Sequence, residues 1–121
     1  MQLLYRILAI SWGIFILFSS LTKGADLPDI HILNADKVAH FFVYFVWIII
    51  TGLGWRNNDR TQAKKILLVA VLLQIAVGYG IEYLQGCCIA GRTNDVYDFI
   101  ADCCGSVLGG LVLYYYMVRK A

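Results

Sequence analysis

The stretch ILLVAVLLQIAVGYGI, at positions 66–81, contains no charged residue and decides the fold class. Three further stretches are equally free of Asp, Glu, Lys and Arg: 7–22, 38–55 and 103–118. A membrane-spanning helix needs about 17–25 largely apolar residues, and each stretch meets that need when its polar ends lie among the lipid headgroups. The sequence therefore predicts an all-α bundle of four transmembrane helices, over about 3–21, 37–55, 64–86 and 95–118.

The composition of the whole chain agrees with this prediction. The chain has 121 residues, of which 60% are apolar and 15% are charged. A soluble domain carries about 25% charged residues, and a body this small cannot hide so much apolar surface from water. These values exclude a soluble globular protein, a disordered tail and a nucleic-acid-binding module. The length predicts a single membrane domain over 1–121.

The basic residues predict the orientation of the bundle. With four spans, both termini and the loop at 56–65 lie on the same side, which carries seven basic residues and one acid. The other side carries seven acids and three basic residues. Because Lys and Arg accumulate on the cytoplasmic side of membrane proteins, we expect both termini to be cytoplasmic. A cleaved signal peptide is the alternative for the first helix, but its apolar run is long and 21–25 is a poor cleavage site.

Polar side chains recur at helical spacing on one face of each of the last three helices. The second helix carries Asp36, His40, Tyr44, Trp47 and Thr51, the third Gln74, Gly78, Glu82 and Gln85, and the fourth Asp95, Asp98, Asp102, Gly105 and Gly109. Ionisable groups are costly inside a membrane, so these faces should turn toward other helices. The Gly105-x-x-x-Gly109 spacing is typical of close helix packing. The pattern predicts one polar cluster at the extracytoplasmic end of the bundle.

The residue types in this cluster suggest three roles. Candidates for acid–base catalysis are His40, Glu82 and Asp98. Candidates for substrate binding are Asp36, Lys37, Gln85, Arg92 and Asp95, because cationic side chains can clamp a phosphate or carboxylate. Candidates for holding a divalent metal ion are Glu82, Asp98 and Asp102. No cofactor follows from the sequence beyond that metal ion.

Each feature also has a structural interpretation. Asp36 and Asp95 can be N-caps of their helices, and Lys37 can reach toward the interface. His40 can be a hydrogen-bonded core residue, and the whole cluster can be a salt-bridge network that only holds the bundle together. The cysteine pairs at 87–88 and 103–104 can form a disulfide between them or remain four buried thiols, and the second is favoured slightly.

In order, the polar residues are Asp36, Lys37, His40, Tyr44, Glu82, Gln85, Gly91, Arg92, Asp95, Asp98, Asp102, Gly105 and Gly109. Their pattern resembles the VanZ-like family of small bacterial membrane proteins over about 36–110. One departure is Asp102, where the family commonly has Asn. The resemblance marks Asp36, Lys37, His40, Glu82, Gln85, Arg92, Asp95 and Asp98 as a site without giving each a role.

The resemblance implies a four-helix protein of the bacterial cell envelope, and together with the charge distribution it predicts a multi-pass protein of the inner membrane with its site facing outside. It implies a link to glycopeptide (teicoplanin) resistance through binding or modifying an envelope lipid or precursor, with a lipid-linked envelope substrate or a glycopeptide as the partner. The expected partners are membrane lipids and no nucleic acid. The alternative is an accessory protein without catalysis, whose polar cluster only fixes helix packing.

Overall fold

Four long helices make up most of the chain that the computed structural model describes, which is residues 1–22, 35–91 and 94–120. They are α1 (Gln2–Ser20), α2 (Ala35–Gly54), α3 (Arg60–Cys88) and α4 (Val96–Lys120). All four are long and apolar enough to cross a membrane. The prediction of an all-α bundle of four transmembrane helices is confirmed, and the predicted bounds differ from these by a few residues at each end.

Helix α2 contacts each of the other three helices. Its closest partner is α4, and small residues permit that approach. A side chain at Gly105 would overlap the carbonyl oxygen of Phe41, and one at Gly109 would overlap Ile48. The glycine spacing on α4 therefore brings the backbones of α2 and α4 together, as small residues do in membrane helices.

Two indole groups attach α1 to α2 within the apolar part of the bundle. Trp12 donates its ring N–H to the carbonyl of Val43 at 3.1 Å, and Trp47 donates to the carbonyl of Ala9 at 3.1 Å. A ring N–H without a partner in lipid would be costly, so this reciprocal pair satisfies both donors and fixes α1 against α2.

The basic end of the bundle, where α1 begins and α4 ends, is stabilised by hydrogen bonds to the ends of its helices. Asp59 is the N-cap of α3 and accepts hydrogen bonds from the backbone N–H groups of Thr61 and Gln62. Arg6 donates to the carbonyl of Gly54 at 2.7 Å. These bonds satisfy groups that helix ends leave without a partner in the helix itself.

Candidate functional site

The C-terminal end of α3 and the N-terminal ends of α2 and α4 meet at the opposite end of the bundle. His40 lies five residues after the start of α2, Glu82 six before the end of α3, and Asp102 six after the start of α4. At 1.5 Å per residue, all three are about 8–9 Å inside the bundle. We call the following seven residues the acidic end: Asp36, Lys37, His40, Glu82, Asp95, Asp98 and Asp102.

An outer group of the acidic end is organised around Lys37. Its ammonium lies 2.7 Å from a carboxylate oxygen of Asp36, 2.9 Å from one of Asp95 and 3.2 Å from one of Asp98. One cation therefore bridges α2 to the start of α4. Lys37 does not simply extend to the membrane interface, because it is the centre of an ion-pair network.

Asp95 contributes to that network and also caps α4. One of its oxygens accepts a hydrogen bond from the backbone N–H of Tyr97 at 2.9 Å, while the other binds Lys37. The Lys37 ammonium lowers the pKa of this carboxyl below its ordinary value of 3.8. The capping interpretation of Asp95 is confirmed. For Asp36 it is wrong, because α2 already begins at Ala35 and Asp36 lies within its first turn.

An inner group lies one turn deeper and centres on His40. Nδ1 of the ring lies at hydrogen-bond distance, 2.8 Å, from a carboxylate oxygen of Asp102, and Nε2 lies 3.6 Å from an oxygen of Asp98. Only 1% of the Asp102 side chain is exposed. A buried carboxylate that holds an imidazole by Nδ1 fixes the orientation of the ring and leaves Nε2 available. This arrangement suits acid–base chemistry or ligand binding, and the catalytic roles of His40, Glu82 and Asp98 stay predictions.

Glu82 brings a buried carboxylate from α3 to the inner group. Its residue is only 2% exposed, and one oxygen accepts the backbone N–H of Asp95 at 3.2 Å. The other oxygen, Oε1, has no hydrogen-bond partner among the described residues, and neither has the buried hydroxyl of Tyr44. Buried polar groups in native proteins nearly always have partners, so these two atoms indicate capacity for a ligand or water.

Gly78 makes room beside the inner group. A Cβ at this position would lie 3.2 Å from Oδ2 of Asp102 and 3.5 Å from the hydroxyl of Tyr44. The absence of a side chain on α3 therefore lets these two polar groups, from α4 and α2, approach the same point. Tyr44 is missing from the predicted site residues, although its position four residues after His40 placed it on the same helix face.

The side chains that lie close enough together to hold one metal ion are not the three that the sequence predicted. Atoms that lie within 4.8 Å of one another and could hold an ion come from His40, Glu82 and Asp102. Asp98 instead groups with Asp36 and Asp95, around Lys37. The prediction that Glu82, Asp98 and Asp102 hold a metal ion stays a prediction, and the structure places the imidazole of His40, rather than Asp98, beside Glu82 and Asp102.

Of the two remaining predicted site residues, only Gln85 is described, and it does not join the cluster. Gln85 is buried and donates its amide N–H to the carbonyl of Ser20 at 2.8 Å, which joins α3 to the C-terminal end of α1. Arg92 lies outside the described residues. A deeper polar pair, in which Ser106 donates to Gln74 at 2.9 Å, links α4 to α3 nearer the middle of the membrane.

The cysteines differ from both sequence interpretations. Cys87 and Cys88 are joined to each other by a disulfide, and Cys103 and Cys104 are free. A disulfide between the two pairs is therefore wrong. Three of the four cysteines are exposed, and Cys103 is part-buried, because these positions fall on outward faces of α3 and α4. The interpretation as four buried thiols is wrong as well.

Comparison with known proteins corrects the family assignment. No family model matches the chain, and no solved structure matches it. The chain is similar to an uncharacterised protein of fission yeast (Schizosaccharomyces pombe), with 28% identity over 115 residues that cover 95% of this chain and 67% of the relative. The assignment to the VanZ-like bacterial family is therefore wrong, because a eukaryotic relative matches along nearly the whole chain and that family does not. The expectations of a bacterial membrane and of glycopeptide resistance lose their basis with it.

The helices of the fold establish the general class of this protein. Four candidate membrane-spanning helices make this a multi-pass membrane protein. The side of the membrane that the acidic end faces stays a prediction from the distribution of basic residues.

Proposed function

We propose that this membrane protein binds the polar headgroup of a membrane lipid at its acidic end. The observation that carries this proposal is the gradient of exposure through the cluster. The exposed fraction of the side chain falls from 57% at Asp36 through 25% at His40 to 1% at Asp102. A ligand that approaches from the headgroup layer meets polar side chains continuously, from the surface to the buried carboxylate.

The charge of the acidic end selects the chemistry of the headgroup. Five carboxylic acids face one Lys and one His, so the described part of the cluster favours a cation. A primary ammonium group also donates hydrogen bonds to carboxylates, which a quaternary ammonium cannot. We therefore expect phosphatidylethanolamine to bind in preference to phosphatidylcholine and to the anionic phosphatidylglycerol.

The orientation of the bundle decides which leaflet supplies the lipid. Seven of the ten Lys and Arg residues belong to the basic end or to the tail beside it. The positive-inside rule places that end in the cytoplasm, so the acidic end would take its ligand from the opposite leaflet.

A lipid titration tests the proposal. The protein is purified in detergent and delipidated, and its thermal midpoint is measured with each of the three phospholipids, matched in acyl chains. A ligand that binds only the folded state raises the midpoint as its concentration exceeds Kd. We expect phosphatidylethanolamine to raise the thermal midpoint more than phosphatidylcholine does. In Asp98→Asn, at least half of this difference between the two lipids should be lost.

The matched control is Asp59→Asn, which changes a carboxylate at the basic end. It should keep the full difference in thermal midpoint between phosphatidylethanolamine and phosphatidylcholine. Equal shifts with all three lipids, or a difference that Asp98→Asn leaves intact, would contradict the proposal.

The ion pairs of Lys37 favour a second candidate, in which the cluster only fixes helix packing. Lys37 already binds three carboxylates and bridges α2 to α4. Under this candidate, Asp98→Asn lowers the thermal midpoint without lipid and leaves the response to each lipid unchanged. The same titration therefore separates the two functions.

A further inference from the structure

We propose that His40, Glu82 and Asp102 form a site for one divalent transition-metal ion. The site goes beyond the binding of a lipid and does not require one. Potential ligand atoms of these three residues, one from each of α2, α3 and α4, lie within 4.8 Å of one another.

Glu82 supplies the observation that points to a ligand. Its residue is 98% buried, yet Oε1 has no hydrogen-bond partner among the described residues. The only partner of the other oxygen in that part of the chain is the neutral backbone N–H of Asp95. A buried carboxylate with so little compensation is costly unless a cation accompanies it.

Lys37 distinguishes this group from the second cluster of acids. The carboxylates of Asp36, Asp95 and Asp98 already share the Lys37 ammonium at 2.7–3.2 Å. That cation occupies the position that a metal ion would need. The inner group has no Lys or Arg of its own among the described residues, so it is the one left with capacity for an ion.

The donor set indicates the class of metal. Imidazole nitrogen suits Zn²⁺ and similar transition ions, whereas Mg²⁺ and Ca²⁺ prefer oxygen ligands alone. In a tetrahedral Zn²⁺ site with bonds of about 2.1 Å, neighbouring ligand atoms lie about 3.4 Å apart, so the three side chains, whose ligand atoms lie within 4.8 Å of one another, would move toward the ion on binding it. Tyr44, whose buried hydroxyl lies beside Asp102 near Gly78, could bind a water molecule attached to the ion.

The test measures the metal directly, in detergent and without added lipid. Cys103→Ala and Cys104→Ala are introduced first, so that free thiols do not compete for zinc, and no reductant is used. The chain is stripped with a chelator, incubated with Zn²⁺ and desalted. We expect about one zinc per chain by elemental analysis and a rise in thermal midpoint that the chelator reverses. Mg²⁺ should produce neither.

Variants locate the ion. Glu82→Gln keeps the size and an oxygen that can accept from Asp95 but removes the charge, and should weaken zinc binding at least tenfold. The control Asp36→Asn removes a carboxylate from the outer group and should leave zinc binding unchanged. Zinc lost in Asp36→Asn and kept in Glu82→Gln would overturn the proposal.

Zinc binding by the chain with an unaltered site is itself a test of the proposal. If this chain binds less than about a tenth of an equivalent of zinc, with no change in midpoint, the inner group holds no metal and the proposal fails. A lipid response that survives removal of zinc supports the headgroup proposal separately, so each idea can fail alone.

Discussion

The two ends of this bundle use their charges in opposite ways. At the basic end, every cation except the half-buried Arg6 is exposed, and four cations stack over aromatic rings: Arg6 on Trp55, Lys64 on Tyr114, Arg119 on Tyr115 and Lys120 on Tyr116. At the acidic end, carboxylates from three helices point toward one another, and two of them, Glu82 and Asp102, are buried. A charged side chain at the surface is solvated by water, so its free energy changes little when one neighbour is replaced. The free energy of a charge inside the bundle depends on the few groups that surround it.

This difference indicates that the acidic end, rather than the basic end, is the place to look for a ligand site. Exposed cations at a helix end need no ligand, because water and lipid headgroups solvate them. Converging acids need a cation, and only Lys37 and His40 supply one within the described acidic end. We therefore expect substitutions at the acidic end to affect several neighbouring charges and those at the basic end to affect only the residue replaced.

The largest effect is expected where the bundle is tightest. Gly105→Ala places a methyl group against the carbonyl oxygen of Phe41, so α2 and α4 must separate and the bond between His40 and Asp102 must lengthen. Overpacking of this kind costs about 1–3 kcal/mol. Thermal unfolding in detergent measures the loss. Gly80→Ala is the matched control, because a Cβ there would meet nothing within 4 Å. Equal midpoints for the two variants would show that α4 does not hold the acidic end together.

Removal of the shared cation should have the next largest effect. Lys37→Met leaves the carboxylates of Asp36, Asp95 and Asp98 facing one another without their ammonium. Partly exposed ion pairs contribute about 0.2–1 kcal/mol each, so we expect a loss of about 1–2 kcal/mol that shrinks at high salt.

Lys65→Met is the control for the loss of one ammonium. Lys65 is exposed and forms no ion pair within the described ranges. Its midpoint should stay close to that of the parent chain. A loss as large as that of Lys37→Met would mean that the acidic end is no more coupled than the rest of the surface.

The fold could be predicted from the sequence because the bilayer sets the length of an apolar helix. The four uncharged runs locate all four helices, and the glycine spacing on α4 identifies its packing face. Periodicity also indicated which polar residues share a helix face. It could not give the depth and rotation of one helix against another, and these decide that Asp98 binds Lys37 while His40 joins Asp102.

Gln85 shows the same limit in another way. Its position on the polar face of α3 is correct, but its amide caps the end of α1, a contact between residues 65 apart in the chain. No spacing rule on one helix reports such a partner. The family resemblance failed for a related reason, since short polar motifs at helical spacing arise in any bundle that must bury charged residues.

The same substitution, Asp→Asn, can be made at an N-cap at each end of the bundle, at Asp59 and at Asp95. Asn can replace Asp as an N-cap, so Asp59→Asn should be nearly neutral. Asp95→Asn keeps the cap but loses the ion pair with Lys37, at a cost of less than about 1 kcal/mol. Because Lys37 lowers the pKa of Asp95, the pair stabilises the folded state above the ordinary value of 3.8 and is lost as the pH falls through the lowered value.

The measurement is the difference in thermal midpoint between the parent chain and Asp95→Asn as a function of pH. This difference cancels the titration of the neighbouring acids to first order. It should be constant near neutral pH and shrink as the pH falls below 3.8. A difference that persists in acid would show that Asp95 acts through its cap alone.

The smallest effect is expected for a single cation at the basic end. Lys120 lies 4.7 Å from the centre of the Tyr116 ring, and both residues are exposed. Exposed contacts of this type contribute about 0.5 kcal/mol, so Lys120→Gln should barely move the midpoint in detergent. Like Lys37→Met, it removes one ammonium group, and the two variants differ in whether the lost charge was shared among three carboxylates or stacked on one exposed ring. If Lys120→Gln proves as costly as Lys37→Met, the basic end is also a coupled interior, and the charge of the acidic end no longer singles it out as the ligand site.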